Sequence, residues 1–209
     1  MGFVVAIDGP AASGKGTIAV RLGTAFRLPV LDTGLLYRAV GAAVLAAGAD
    51  LDDESAASAA ARTLKATDLD DSGLRSGAVG EAASRVAVHP AVRAALVDFQ
   101  RAFATQAGGA VLDGRDIGTV IVPAAPAKLF VTATPHVRAD RRWRQLRAAR
   151  PDLTFDDVLD DILRRDARDS GRESAPLRRA DDAVLLDTTD LDIDHAFDAA
   201  RRIVEAARG

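Results

Sequence analysis

Apolar residues along this chain follow two patterns in turn: short continuous runs, and longer stripes with helical spacing. The run Phe3–Asp8 predicts a buried strand, and apolar side chains at every fourth position from 18 to 26 predict an amphipathic helix after it. Pro29 ends that helix, and Val30–Asp32 predicts a second, short strand. The chain therefore begins with a strand, a helix and a strand.

The same alternation continues along the rest of the sequence. Helices are predicted at 33–47, in short pieces within 49–88, at 90–108, at two places between 135 and 172 on either side of Pro151, and at 193–207; strands are predicted at 110–113, 128–132 and 183–186. Strands that alternate with helices favour the α/β class. We expect a three-layer α/β/α sandwich around a mostly parallel, five-stranded sheet.

Composition narrows the class of protein. The length of 209 residues fits one domain, and 48% apolar residues suffice for a sizeable core. The 27 basic and 30 acidic residues leave a net charge of −3, which argues against general binding to nucleic acid or an anionic membrane. The lack of cysteine excludes disulfides, thiolate metal sites and cysteine nucleophiles. With no visible signal peptide or membrane-length apolar run, we expect a soluble, cytoplasmic protein.

The segment AIDGPAASGKGT, residues 6–17, joins the first strand to the first helix. Its glycines let backbone N–H groups converge on an anion, and the helix start adds its positive dipole end. Lys15 supplies a charge for the β- and γ-phosphates. Thr17 supplies a hydroxyl for Mg²⁺ or phosphate, because Gly16 fills the position where the strict motif has Ser or Thr. The predicted ATP-binding residues are Gly9, Pro10, Ala11, Ala12, Ser13, Gly14, Lys15, Gly16 and Thr17.

A phosphate loop alone is compatible with GTPases, ATPases and kinases. GTPases usually recognise guanine through an Asn-Lys-x-Asp segment, and this chain contains no asparagine. Asp113 closes a buried strand, which places a carboxylate at the sheet edge where Mg²⁺ would lie, unless it is a turn or capping residue. Arg115 and Asp116 follow directly and cannot both point into the core, so we interpret them as site residues rather than a loop salt bridge.

A third charged segment lies further along the chain. Arg165, Asp169 and Arg172 are spaced i, i+4 and i+7, so they share one helical face if the helix extends that far. Two guanidinium groups beside one carboxylate are candidate site residues, and a solvated helix face is the alternative.

Four segments in this order resemble one enzyme family. The G-K-G-T end of the loop is similar to that of nucleoside monophosphate kinases. LDTGLLYR at 31–38, LDGRDIGTV at 112–120 and RDARDSGRESAPL at 165–177 together look like bacterial cytidylate kinases. The resemblance implies a phosphate-loop kinase that transfers the γ-phosphoryl group of ATP to CMP or dCMP with Mg²⁺.

The resemblance also implies a domain plan and an acceptor site. It implies one kinase domain over 1–209, with a helical monophosphate-binding insert at about 49–92 and a lid at about 141–156. Three arginines would grip the acceptor phosphate, one arginine and one aspartate would meet the ribose hydroxyls, and three residues would read cytosine. In that order these residues are Arg38, Arg115 and Arg172; Arg165 and Asp169; and Ser84, Arg93 and Asp116, with Thr33 standing where many relatives have Ser. Thr17 and Asp113 would hold the metal, partly through water.

Residues 138–150, RADRRWRQLRAAR, hold six arginines and one acidic residue. A nucleic-acid interface is one interpretation, but Trp143 is the single aromatic residue of this segment, and the positive charge does not extend beyond it. In this kinase class such a segment begins a mobile lid over ATP. Arg141 and Arg142 are then candidates, together with Lys15, for neutralising the transferring phosphoryl group. The three histidines are far apart in sequence and are interpreted as surface or capping residues.

The expected protein is a monomeric kinase of small nucleotides, without a nucleic-acid or membrane partner. One departure from the family pattern concerns base selection, because the stretch around residues 68–78 is shorter and more polar than in many relatives, with no predicted hairpin. Two alternatives stay open: a kinase that acts on UMP or a sugar-like acceptor, and a nucleotide-dependent regulator that binds ATP without turnover.

Overall fold

The computed structural model describes residues 2–70 and 72–209, and over these residues the chain forms five strands and eight α-helices. The strands are β1 (Val4–Asp8), β2 (Val30–Asp32), β3 (Ala110–Gly114), β4 (Ala127–Thr132) and β5 (Val184–Asp187). The helices are α1 (Lys15–Phe26), α2 (Thr33–Ala46), α3 (Glu54–Thr63), α4 (Gly77–Val86), α5 (Pro90–Ala104), α6 (Pro135–Leu146), α7 (Phe155–Ser170) and α8 (Ile193–Arg208). Short helical turns lie at Ala66–Asp70, Ser72–Arg75 and Ile117–Ile121.

The five strands form one sheet in the order β2-β3-β1-β4-β5. Strand β1 pairs in parallel with β3 and β4, and β4 pairs in parallel with β5. The α/β class and the five-stranded parallel sheet predicted from the alternation of elements are therefore confirmed. The carboxyl ends of β1 and β3 lie side by side, since Asp8 is the register partner of Gly114. This edge is where ligands bind in open α/β sheets.

The chain divides into two compact units, Met1–Leu31 with Phe103–Gly209, and Asp32–Ala102. In the first unit, alternate strand residues such as Val5, Ile7 and Leu129 share one sheet face, and α1 and α8 cover that face with a continuous apolar core. The opposite face of β1 faces the turn Ile117–Ile121. A smaller apolar cluster joins α6 and α7 to Ala11 of the glycine loop.

The second unit is helical. Its core joins apolar side chains of α2, α3, α4 and α5, among them Leu36, Val40, Val86 and Leu96. Gly41 in α2 permits close packing against α4, because a Cβ there would lie 2.9 Å from the Cβ of Ala82. Within the described residues between 49 and 88 the structure contains helices and short turns but no strand, as the sequence predicted.

Element ends follow local capping chemistry. Asp53 and Asp192 each accept two backbone N–H bonds at the start of a helix, and Thr154 with Asp157 forms a reciprocal capping box on α7. The helix predicted to reach 108 ends at Ala104, and the turn Ile117–Ile121 was not predicted from sequence. No helix within the described part of the chain is long and apolar enough to span a membrane.

Candidate active site

The glycine loop lies between the end of β1 and the first turn of α1. Gly14 precedes the helix with φ 91°, in the left-handed region that favours glycine. At Gly9 a Cβ would lie 2.0 Å from the carbonyl oxygen of Val131, so the loop leaves β1 in direct contact with β4. The first N–H groups of α1 therefore start at the end of a central strand, which is the arrangement that binds phosphate.

The loop contains a buried serine hydroxyl that bears on the predicted phosphate site. Ser13 is fully buried, and among the described residues no partner lies within hydrogen-bonding distance of its hydroxyl. Its carbonyl oxygen accepts a bond of 3.0 Å from the hydroxyl of Thr188, in the loop after β5. A buried hydroxyl without a partner costs free energy unless a ligand satisfies it. This observation fits the predicted phosphate site.

Arg138, which was not among the predicted site residues, anchors the same loop. Its buried guanidinium donates to the carbonyl oxygen of Ala11 at 3.2 Å and to that of Ala133 at 2.9 Å. It also forms an ion pair with Asp166 of α7. The sequence contains no signal that separates Arg138 from the other arginines of its run, because its role depends on contacts distant in sequence.

The predicted metal ligands come from neighbouring elements. Asp113 is buried near the end of β3, and its side chain lies close to the start of α1. A Cβ added to Gly16 would lie only 3.2 Å from Oδ2 of Asp113. Glycine at position 16 thus leaves room between the carboxylate and the helix that carries Thr17. A carboxylate and a hydroxyl are oxygen donors of the kind that Mg²⁺ prefers, so these residues fit the predicted ion. No cluster of three or more His, Asp or Glu side chains suited to a metal occurs among the described residues.

Three predicted acceptor residues meet in the first unit. The buried carboxylate of Asp169 accepts a hydrogen bond of 2.8 Å from Arg115 and one of 2.9 Å from Arg172. Burial acts to raise the pKa of Asp169, but the charges of Arg115 and Arg172 outweigh it and the pKa is lowered. The carboxylate is therefore held ionised between two guanidinium groups.

The helix that carries Arg165 and Asp169 is too short to include Arg172, which the expected i, i+4, i+7 spacing required. Helix α7 ends at Ser170, so Arg172 lies beyond it, and the idea of three residues on one helical face is wrong in that detail. Arg172 still reaches Asp169 through the turn that follows the helix. Arg165 remains within the helix, with its guanidinium 3.8 Å from the carboxylate of Asp161.

Arg115 and Asp116 lie in the segment that follows β3. Asp116 is buried and stands directly before the turn Ile117–Ile121. The carboxylate of Asp8 accepts the backbone N–H of Ile117 at 2.7 Å and that of Gly118 at 2.8 Å. Burial is the main cause that raises the pKa of Asp8 from 3.8 to about 6. Sequence reasoning missed Asp8, although a carboxylate at the end of a buried strand is itself a signal.

The two predicted lid arginines have different surroundings. Arg141 donates to the hydroxyl and carbonyl oxygen of Thr188 at 2.9 and 2.6 Å, and to the carbonyl oxygen of Leu191 at 3.3 Å. Arg142 lies near Arg165, and burial together with that like charge lowers its pKa. Arg141 is thus bonded to the loop after β5, whereas Arg142 is one of two cations placed close together.

The remaining acceptor residues belong to the second unit. Thr33, Ser84 and Arg93 are buried there. Arg38 donates to the carbonyl oxygen of Leu74 at 2.8 Å, and its guanidinium packs against Gly80, where a Cβ would lie 3.3 Å away. Arg93 lies over the ring of Tyr37 at 5.6 Å. Among these residues Thr33, Ser84 and Arg93 are buried, whereas Arg38 is half-buried.

A parallel α/β sheet with a glycine loop at the end of a central strand is the arrangement of a phosphate-binding protein. The family model for cytidylate kinase matches residues 5–206. The chain is 62% identical over 208 residues to the cytidylate kinase of Caulobacter vibrioides, covering 100% of this chain and 98% of that one. It is 63% identical over 206 residues to the cytidylate kinase of Xanthobacter autotrophicus, covering 99% of each. The chain belongs to the cytidylate kinase family.

Solved structures show likeness of fold at low identity. A protein of Eubacterium ventriosum aligns with a TM-score of 0.56 and 13% identity, covering 98% of this chain and 99% of that one. A protein of Thermus thermophilus aligns with a TM-score of 0.50 and 21% identity, covering 98% and 97%. These likenesses concern the fold alone.

Proposed function

We propose that this protein transfers the γ-phosphoryl group of ATP to CMP or dCMP, giving ADP and CDP or dCDP. Family membership over nearly the whole chain supports the reaction. The structural observation that supports this reaction, beside the glycine loop, is that Arg115 and Arg172 both form ion pairs with the buried carboxylate of Asp169. A protein that only binds ATP needs one phosphate site, whereas a nucleotide kinase needs a second one for its acceptor.

On the donor side, the loop and the start of α1 bind the phosphate chain of ATP. Backbone N–H groups around Gly14 and the buried hydroxyl of Ser13 supply hydrogen bonds, and Lys15 supplies a positive charge. Arg138 holds the carbonyl oxygen of Ala11, which keeps the loop in place before the nucleotide binds. Such preorganisation lowers the cost of ordering the site during the reaction.

Thr17 and Asp113 would hold Mg²⁺, partly through water. When bound, the ion neutralises charge on the β- and γ-phosphates. Position 16 matters for this assignment, since a side chain there would press on Asp113. The hydroxyl that the strict motif places at position 16 is supplied one residue later, by Thr17.

On the acceptor side, the family resemblance implies that Arg38, Arg115 and Arg172 would bind the CMP phosphate. Asp169 and Arg165 would meet the ribose hydroxyls. Thr33 belongs to the same acceptor set, and Ser84, Arg93 and Asp116 would read cytosine. These residues are proposed sites, and guanidinium forks suit them because they bind phosphate oxygens in pairs.

The chemistry requires little covalent work from the protein. The attacking group is a phosphate oxygen of CMP, which is already ionised at neutral pH, so no general base is required. The protein aligns this oxygen with the γ-phosphorus and neutralises the charge that spreads over the transferring group. Lys15, Arg141 and Arg142 are the proposed catalytic cations. Closure of the segment at about 141–156 would exclude water and limit ATP hydrolysis.

We also propose that the enzyme is monomeric and cytoplasmic.

The proposed reaction is tested by following ADP release with ATP and Mg²⁺ while CMP, dCMP, UMP and AMP are offered separately. Turnover with CMP and dCMP well above that with UMP and AMP is the expected result. Equal turnover with UMP would show a relaxed base pocket, in line with the short stretch around 68–78. Tight ATP binding without turnover on any acceptor would refute the proposal and favour a regulator.

A further inference from the structure

Asp8 ends β1 directly before the glycine loop, yet its side chain bonds to a different part of the chain. Both carboxylate oxygens accept backbone N–H bonds from Ile117 and Gly118, more than a hundred residues away. These N–H groups open the turn Ile117–Ile121, and the first N–H groups of any helical turn lack partners within it. Asp8 therefore caps this turn from outside.

A cap of this kind is normally supplied by the residue just before the turn. That residue is Asp116, whose type is well suited to capping, and yet within the described part of the chain its side chain does not cap this turn. Asp8 performs the task instead.

The turn is also held from the side of β4. A Cβ on Gly118 would lie 3.2 Å from Cδ of Lys128 and 3.4 Å from Oδ2 of Asp8, so the backbone at Gly118 fits closely between the two side chains. Lys128 is itself fixed, because its Nζ donates to the carbonyl oxygen of Pro123 and to the carboxylate of Asp182. Small displacements of the turn are therefore opposed from both directions.

We propose that Asp8 is a positioning residue for the acceptor: by capping the turn in place of Asp116, it sets the orientation in which Arg115 and Asp116 meet CMP. The inference rests on the proposed function. It adds a link between the strand that carries the ATP loop and the segment that reads the acceptor, formed by one side chain.

The test is Asp8→Asn. The amide keeps the shape of the side chain but offers one acceptor oxygen, and its NH₂ group faces a backbone N–H that loses its partner. We expect KM for CMP to rise about tenfold or more, since small misplacement of a substrate-positioning group is costly, while KM for ATP changes less than about twofold. The preference for CMP over UMP should fall as well.

A second arm separates positioning from general loss of structure. In the Asp116→Asn background, Asp8→Asn should cause little further loss of CMP preference, because Asp8 acts through Asp116. Additive losses in the double variant, or equal increases of both KM values in the single variant, would overturn the proposal. If Asp8→Asn does not fold, Gly118→Ala tests the same contact from the other side, with the same expected split between KM values and the same refuting outcome.

Asp192→Asn is the matched control. Asp192 also accepts two backbone N–H bonds at a helix start, from Asp194 at 3.0 Å and His195 at 2.9 Å, but it is exposed and plays no part in the proposed site. Asparagine remains a good cap, so neither KM should change. Wild-type turnover of CMP, measured first, decides the proposed function by itself. The comparison between variant and wild type decides the role of Asp8.

Discussion

Arg138 and Asp166 form a two-pronged ion pair between α6 and α7, with Nη1 3.0 Å from Oδ1 and Nη2 bonded to Oδ2. The same guanidinium donates to the carbonyl oxygen of Ala11. A single buried cation therefore ties two helices to the loop proposed to bind ATP. The guanidinium is well suited to this, because its rigid fork serves a carboxylate and a carbonyl group at once.

Asp166→Ala should lower both stability and ATP affinity. It leaves Arg138 buried without its carboxylate, which we expect to reduce the free energy of unfolding by about 3 kcal/mol. The loosened guanidinium should also shift Ala11 and raise KM for ATP more than KM for CMP. Urea unfolding and steady-state kinetics measure the two effects.

Arg144→Ala supplies the control for that measurement. Arg144 pairs with Asp140 on the exposed surface of α6, where its side chain is 68% exposed. Exposed pairs of this type contribute less than about 0.5 kcal/mol. If Asp166→Ala were no more destabilising than Arg144→Ala, the anchoring role of Arg138 would be wrong.

The fold was largely predictable because apolar periodicity carries most of the information. Val30–Asp32 was predicted with its observed bounds, and the other strands to within a residue. The turn Ile117–Ile121 was missed for a physical reason: its first N–H groups are satisfied by Asp8, and no local pattern encodes a partner so distant in sequence. The helix that ends at Ala104 was extended too far, to 108, because small residues after it continue a helical composition.

The candidate site was predictable where residue type and local spacing are enough. The glycine loop is of that kind, whereas the helical spacing expected for Arg165, Asp169 and Arg172 stops at Ser170, and the roles of these residues stay predictions. Arg138 was missed because it acts through contacts that only the fold creates, whereas Asp8 ends a buried strand and could have been singled out by that position. Arg141 and Arg142 could not be separated from sequence either, because they are neighbours of the same type and differ only in the residues that contact them.

Gly16→Ser should impair the enzyme although it restores the strict loop motif. The new Cβ would lie 3.2 Å from Oδ2 of Asp113, which must give way by a few tenths of an ångström. Because Asp113 is a proposed metal ligand, we expect the Mg²⁺ concentration for half-maximal rate to rise about threefold to tenfold. Thr17→Ser, which keeps the hydroxyl, is the control and should stay near wild type. An unchanged Mg²⁺ requirement in Gly16→Ser would argue against Asp113 as a ligand.

Arg142→Ala should lower kcat far more than it lowers stability. Its guanidinium lies near that of Arg165, and the two cations share the nearby carboxylate of Asp161, so one negative charge faces two positive ones. Arginines that neutralise a transferring phosphoryl group contribute about 10³-fold or more to the rate, so we expect a loss of at least about 10²-fold in kcat. Single-turnover kinetics and thermal unfolding measure the two quantities.

Arg141→Ala should show the opposite balance. Its donors serve the hydroxyl and carbonyl oxygen of Thr188, and loss of such bonds costs about 1–3 kcal/mol of unfolding free energy. We expect a clear loss of stability and a smaller loss of kcat than in Arg142→Ala. Equal losses of kcat in the two variants, with unchanged stability in both, would contradict this division of roles.

Asp8 should make the protein's stability depend on pH in the range where its carboxyl group titrates. Burial raises its pKa from 3.8 to about 6, so the folded state holds a proton over a range where the unfolded state has lost it. The stabilisation from this group is fully present below about pH 4 and is lost as pH rises through about 6. The difference between the two pKa values corresponds to about 3 kcal/mol.

Comparison with Asp8→Asn isolates this effect, because the variant lacks the titrating group and shares the others. The free energy of unfolding of the wild type, minus that of Asp8→Asn, should increase by up to about 3 kcal/mol as pH falls from about 6 to about 4. Urea unfolding at several pH values measures the difference. A difference that stays constant over this range would show that Asp8 titrates normally. If this difference in unfolding free energy increases as pH falls, the ionised carboxylate of Asp8 lowers stability near neutral pH. That result is expected if the cap on Ile117 and Gly118 serves substrate binding rather than folding.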